Sequence, residues 1–274
     1  RKLSHIEVCL KESIVSNKTT RLEDFELIHR PICDLNYNEV DTSINLWNKK
    51  LSMPLICAAM TGGHPDVKEI NEIIAKACQK YSIGMGTGSE RAAIEEESSY
   101  ITESFKIVRN LAPDALIIGN LGAAQFSQNL KFGKDEVLKA IDLVKADAMA
   151  IHVNPAQEIV QVEGDLFFKG VCENVCNIAS QINTPVIIKE VGSGFPKEDS
   201  LKIEKSPVAG IDVGGTGGTT WIGVESILAM KKGKKLQYEA GKTFWNWGIP
   251  TALSVIESRA VTNKTIIATG GVRN

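Results

Sequence analysis

Short, almost wholly apolar runs recur along this chain, at 54–60, 82–88, 115–121, 148–154, 185–191, 209–214 and 265–269. Parallel strands buried on both faces read this way. Between them lie stretches such as 67–81, 135–145 and 173–182, whose apolar residues fall at helical spacing. The alternation predicts an α/β fold. Seven strands are one short of a (β/α)8 TIM barrel, so the eighth is expected to be missing from this chain, which starts without Met and stops just after a Gly-Gly turn. The competing architecture is an open doubly wound sheet. Residues 1–50 read as an N-terminal extension and 51–274 as the barrel. The stretch 238–247 reads as a helix and loop over the barrel.

Polar decoration falls on one end of these strands. In chain order the runs lead into Met60-Thr61-Gly62-Gly63, Gly86-Thr87-Gly88-Ser89-Glu90-Arg91, Asn120-Leu121-Gly122, His152 and Asn154, Lys189-Glu190, Asp212-Val213-Gly214, and Gly270-Gly271. In a β/α barrel the C-terminal strand ends form the active-site face.

The densest of these mouths is His152-Val153-Asn154-Pro155-Ala156-Gln157-Glu158. Strand side chains alternate, so His152 and Asn154 face one side. Pro155 suits the first position of a helix. Gln157 and Glu158 then fall in its first turn, leaning back toward the strand. A plain helix start accounts for Pro155 and Glu158 but not for His152 and Asn154.

Charge and cysteine usage narrow the classes. The 31 basic and 33 acidic side chains leave a net charge of −2, and no long basic run suggests nucleic acid. Six cysteines are scattered without a C-x-x-C pair, which argues against a disulfide framework or a zinc site. No apolar stretch reaches transmembrane length. A soluble cytoplasmic protein is expected, with no membrane partner.

The 214–219 stretch, Gly214-Gly215-Thr216-Gly217-Gly218-Thr219, suits an anion because glycines let backbone N–H groups come close. Gly270 and Gly271 would supply the other half of a phosphate site. No Gly-Lys-Ser/Thr follows, so this is not a P-loop, and Gly84-x-Gly86-x-Gly88 lacks the dinucleotide spacing. Lys189 points from an apolar strand toward the mouth and needs a partner, for which an anionic cofactor ring is one candidate. Arg91 suits bidentate phosphate recognition, and a surface ion pair is its plainer use. Glu158 could hold magnesium, which uses one or two carboxylates with waters and substrate phosphates. No acid/base carboxylate pair is evident, so proton chemistry is expected to rely on a cofactor.

These segments, with Arg1-Lys2-Leu3-Ser4-His5 and Gly270-Gly271-Val272-Arg273, resemble the type 2, flavin-dependent isopentenyl diphosphate isomerases over the whole chain. The resemblance implies a barrel holding FMN that interconverts isopentenyl diphosphate and dimethylallyl diphosphate. It implies reduced FMN, Mg2+, NADPH or NADH as reductant, and a homotetramer or larger assembly. Carried over residue by residue, Ala58, Ala59, Met60, Thr61, Ser89, Asn120, Lys189, Gly214, Thr219, Gly270, Gly271 and Arg273 would contact FMN. Arg1, Lys2, Ser89, Arg91, His152, Asn154 and Gln157 would hold substrate, and Glu158 the metal. Gln157, His152, Asn154 and Lys189 would be catalytic. Two departures stand out: the family usually has Gln where this chain has Glu90, and often Ser at Gly214. A second charge at Glu90 would weaken diphosphate binding unless it turns away or meets a cation. The competing functions are an FMN-dependent 2-hydroxy acid oxidase and a non-catalytic flavin-binding barrel.

Overall fold

The seven apolar runs form one parallel sheet, with strands adjacent in chain order. The structure, a computed structural model, describes residues 2–96, 98–129 and 131–273, and for Lys2 only the backbone. A two-stranded antiparallel hairpin comes first, β1 (Ile44–Leu46) and β2 (Lys49–Leu51). The large sheet follows as β3 (Ile56–Cys57), β4 (Gly84–Gly86), β5 (Ile117–Gly122), β6 (Ala148–Val153), β7 (Val186–Glu190), β8 (Gly210–Asp212) and β9 (Thr265–Ile267). A doubly wound sheet would reverse its strand order partway. Here the order runs from β3 to β9 without reversal, which is the order of a barrel. Among the described residues β3 and β9 do not pair with each other, so the curl is open along that edge.

Alternation sorts the strand side chains into two layers. Ala148, Ala150, Ile118 and Ile187 point into the barrel, while Met149, Ile151, Ile188 and Ile211 point out against the helices. Helices 68–81, 99–111, 134–144 and 171–179 cover the outside, as the amphipathic stretches predict. At the mouth, register aligns Gly122, His152, Lys189 and Asp212 across four neighbouring strands.

The N-terminal region is tied to the barrel at both ends. Ile44, Leu46, Trp47 and Leu51 of the hairpin pack on the interior side chains Leu116, Ile118, Ala148 and Ile187, and so close the lower end. Leu51 is 1% exposed, and burying such a side chain contributes about 2 kcal/mol. Helix Lys2–Lys11 docks Val8 and Cys9 against Val224, Trp221 and Leu228 of helix Trp221–Lys231. Residues 14–18 then run beside the glycine loop after β8, where the Ser16 N–H donates to Gly218 O and the Thr220 N–H to Ile14 O. The excursion at 238–247 opens inside helix Lys235–Thr243 and continues through Trp245 and Asn246, which hydrogen-bond Val15, Ser16 and Asn17.

Candidate active site

The site begins with a strand that turns directly into a helix. β6 ends at Val153, and helix Pro155–Val160 starts with Pro at its first position and Asn154 as N-cap. An N-cap Asn usually spends its side chain on the first-turn N–H groups. Asn154 makes no such bond. Its amide instead donates to Gln157 Oε1 at 3.1 Å and Glu158 Oε1 at 3.0 Å. All three side chains are buried.

Gln157 is oriented from both ends of its amide. Its Oε1 accepts from Asn154, and its Nε2 donates to Glu225 Oε1 at 2.8 Å. Glu225 is 3% exposed and also receives His5 Nε2 at 2.9 Å, from the N-terminal helix. His5 in turn meets Trp221 edge-on, with ring centroids 5.6 Å apart. Sequence reasoning missed Glu225. The available signal is a lone acid in the apolar helical run from Trp221 to Met230.

His152 is held separately. Its Nδ1 lies 2.7 Å from Asn120 Oδ1, an acceptor, so Nδ1 carries the proton in that bond. A Cβ on Gly122 would lie 3.2 Å from His152 Cε1, so glycine there gives the imidazole its room. Lys189 is buried, 3.4 Å from Asp212 Oδ2, and donates to Glu190 O at 2.8 Å. Asp212 is thus the partner this buried cation requires, and the second residue the sequence left without a role. The Glu190 side chain turns the other way, as alternation demands, and caps the N–H groups of Val191, Gly192, Ser193 and Gly194. Burial pushes its carboxyl up to about 7, against the pull of those donors.

Glu158 faces three donors. Oε1 accepts from Asn154, and Oε2 accepts from Gln161 Nε2 at 2.9 Å and the Asp165 N–H at 2.8 Å. A carboxylate has about four lone-pair directions, so one on Oε1 stays open to a cation. Among the described residues no group of three or more His, Cys, Asp or Glu side chains could hold a metal by itself. Only the shared mode, one carboxylate with substrate phosphates, fits Glu158.

Arg91 makes the surface ion pairs that were its plainer use: Glu95 at 2.9 Å and Asp165 at 3.1 Å. Asp165 also takes Gln125 Nε2 at 3.2 Å and pairs with Lys131 at 3.7 Å. Burial opposes its charge, yet Lys131, Gln125 and Arg91 together hold its carboxyl below the usual carboxylate range. Because the Asp165 N–H binds Glu158, the Arg91 and Glu158 groups share one loop.

The residues expected to touch a flavin all leave the C-terminal ends of strands. Ala58, Ala59, Met60 and Thr61 follow β3, Ser89 follows β4, and Asn120 and Lys189 lie in β5 and β7. Gly214 and Thr219 follow β8, and Gly270, Gly271 and Arg273 follow β9. The two glycine loops interlock: a Cβ on Gly218 would lie 2.6 Å from Gly271 N, and one on Gly270 2.1 Å from Gly215 O. The hydroxyls of Thr61 and Thr216 are buried without a hydrogen-bond partner among the described residues. Buried hydroxyls need one, and a bound polar ring or phosphate at these loops fits them. Arg1 and the Lys2 side chain fall outside the described residues, so their expected substrate contacts have no geometry here.

The Glu90 departure resolves in the direction of turning away. Glu90 is 0% exposed and packs outside the barrel against β5, not into the mouth. At Gly214, φ is +44° and a Cβ would sit 2.2 Å from Glu190 O. The lost Ser hydroxyl is therefore a matter of space in this chain as well as of chemistry.

No protein-family model matches the chain. Among solved structures, a mandelate oxidase mutant with the monooxide FMN adduct superposes with a TM-score of 0.53 at 16% identity, over 99% of this chain and 85% of that one. Mandelate oxidase with (S)-4-hydroxymandelic acid gives a TM-score of 0.53 at 14% identity, over 97% and 81%. These likenesses establish the barrel fold. By sequence, the chain is 43% identical over 275 residues to the isopentenyl-diphosphate delta-isomerase of Methanosarcina mazei, covering 100% of this chain and 73% of that protein. The Methanocaldococcus jannaschii protein of the same name is 46% identical over 277 residues, covering 100% and 75%. That of Archaeoglobus fulgidus is 42% identical over 274 residues, covering 100% and 76%. With this degree of identity along its full length, and with the barrel fold, the chain belongs to the isopentenyl-diphosphate delta-isomerase family, in its type 2 form.

Proposed function

We propose that this protein interconverts isopentenyl diphosphate and dimethylallyl diphosphate, with reduced FMN and Mg2+ and with NADPH or NADH as the source of electrons. The observation that carries the reading is the buried network Asn154–Gln157–Glu158–Glu225 at the C-terminal mouth of the barrel. The reaction shifts a double bond by one carbon, adding a proton at one end of the allylic unit and removing one from the other. Its barrier is the cationic charge that develops on carbon. When bound, reduced FMN would supply a proton-bearing ring and electrostatic stabilisation of that charge.

The protein's own residues hold and orient. His152, fixed by Asn120, would bind the diphosphate together with Arg91, Arg1 and Lys2. Glu158 would share Mg2+ with the same phosphates, using its remaining lone pair. Binding the phosphates at one end leaves the alkene located over the barrel mouth, which is the larger part of what such a site contributes. Gln157 lies beside that position with its amide held by Asn154 and Glu225. Glu225 would set which face of the Gln157 amide meets the alkene, and His5 of the N-terminal helix holds Glu225 in place for it. Lys189, balanced by Asp212, would face the polar edge of the flavin. A homotetramer or larger assembly in the cytoplasm completes the reading. Among the described residues no helix is long and apolar enough to cross a membrane.

The test is conversion of isopentenyl diphosphate by the full chain with reduced FMN and Mg2+. Gln157→Ala and His152→Ala should each lower kcat/KM by about a hundredfold or more. Unchanged turnover in both variants would overturn the assignment of the cluster. The 2-hydroxy acid oxidase reading has only the shared fold in its favour, and it gives Gln157 and Glu158 no task.

A further inference from the structure

Glu90 has no place in the scheme above, yet it is among the largest side chains with no exposed surface. It sits between Ser89 and Arg91, on the loop from β4 into helix Arg91–Glu96. Its backbone N–H donates to Asn120 O at 2.9 Å, and its Oε1 receives the Asn120 N–H at 3.2 Å. The residue therefore clasps β5 at the position whose side chain holds His152. Oε1 is also 2.6 Å from Thr87 Oγ1, while Oε2 is buried with no partner among the described residues.

The buried, unpaired Oε2 and the single proton of Thr87 together bear on the state of the acid. Thr87 Oγ1 lies within hydrogen-bond reach of two acceptors, Glu90 Oε1 and Ile118 O at 3.2 Å, but a hydroxyl has one proton to give. If Glu90 is ionised, Ile118 O keeps the Thr87 backbone N–H at 2.9 Å and Oε1 keeps the Asn120 N–H, but a share of the negative charge rests on Oε2, which has no polar partner among the described residues. If Glu90 carries a proton, it donates to Thr87, Thr87 donates to Ile118 O, and the unpaired oxygen is a neutral carbonyl. The groups that face it are Thr87 from its own loop, the Gly119–Asn120 backbone of β5, and Met149 and Ala146 around Gly119. None of them carries a charge. Arg91, next in the chain, pairs with Glu95 and Asp165 and not with Glu90. Burial pushes the Glu90 carboxyl up to about 8, against the pull of Thr87 and the Asn120 N–H.

We propose that Glu90 is a protonated, neutral positioning residue that ties the loop bearing Ser89 and Arg91 to β5, and that its ionisation in mild alkali releases this loop from the site. The positioning half rests on the isomerase reading. The protonation half does not. A Gln at this position keeps an oxygen to accept the Asn120 N–H and has no proton to lose, so Glu90→Gln is the informative change.

The sign of the stability effect is fixed by linkage. A carboxyl whose pKa is higher in the folded than in the unfolded chain adds stability fully below its unfolded value, and that stability is lost as pH rises toward the folded value. The melting temperature of Glu90→Gln minus that of the unsubstituted chain should therefore grow between about pH 5 and about pH 8 and level off above it. A difference that stays constant with pH overturns the proposal. Carbon-13 NMR of the unsubstituted chain, labelled at its Glu carboxyls, needs no variant. A resonance titrating near pH 8 is expected, and the absence of any Glu carboxyl titrating above about pH 7.5 overturns it. In the loaded enzyme, the rate at pH 9 should be about tenfold below that at pH 7, with Glu90→Gln holding its rate across the interval. A parallel fall in both proteins overturns the positioning role. An enzyme without isomerase activity at any pH would sink the proposed function, while the melting and NMR measurements would still judge Glu90.

Discussion

Gly214 shows how one residue couples two strand mouths. Its φ of +44° already strains an ordinary side chain, and a Cβ would also meet the Glu190 carbonyl at 2.2 Å. That carbonyl also receives Lys189, so moving it disturbs the buried Lys189–Asp212 pair. Gly214→Ser, which restores the residue often found in the family, should destabilise this chain by about 2 kcal/mol, read from urea unfolding. A neutral or stabilising result would show that the Glu190 carbonyl yields freely. His152, Asn154, Gln157 and Glu158 were legible in the sequence because a polar run closing an apolar strand has few structural uses. Glu225 and Asp212 were less so. Each contributes a lone carboxylate inside an otherwise apolar element, and only the packing reveals what it binds.

At the scale of elements, each of the seven apolar runs became a strand, because continuous apolar patterning leaves few alternatives once helices cover both flanks. The strands are shorter than the runs, since several runs carry on into the loops that form the mouth. The β1–β2 hairpin was not legible. Its strands are three residues each, with Trp47 and Asn48 at positive φ in the turn between them. Three residues are too few to display a period of two, and the local sequence carries no Asn-Gly or Asp-Gly turn signal. The lower end of the barrel depends on Arg109. Its guanidinium donates to the carbonyls of Ala112, Pro113, Ala115 and Lys145 and pairs with Asp147 at 2.7 Å. These groups lie on the segments that lead into β5 and β6. Arg109→Ala should cost about 3 kcal/mol, with the denaturant slope unchanged. Its isomerase kcat/KM, measured on the folded fraction, should stay close to that of the unsubstituted protein, because Arg109 lies at the end opposite the site.

For the whole molecule, the two ends of the barrel separate two tasks. Apolar packing from the hairpin and the Arg109 network secure the lower end. Buried polar networks, His5–Glu225–Gln157–Asn154–Glu158 and Asn120–His152, occupy the upper one. The N-terminal helix belongs to the upper task, because its His5 completes the hydrogen bonding of Glu225. Fold class was readable from period and order alone, whereas the link between the first residues and the centre of the chain required the three-dimensional path. The central claim is that this mouth adds a proton to one carbon of an isoprenoid diphosphate and removes one from another. Proton NMR of the full chain turning over isopentenyl diphosphate in D2O, with reduced FMN and Mg2+, tests it most directly. Deuterium should enter a methyl group of the dimethylallyl diphosphate formed, at a rate that collapses in Gln157→Ala. Unconverted substrate under these conditions, or an equal rate in the variant, would contradict the account.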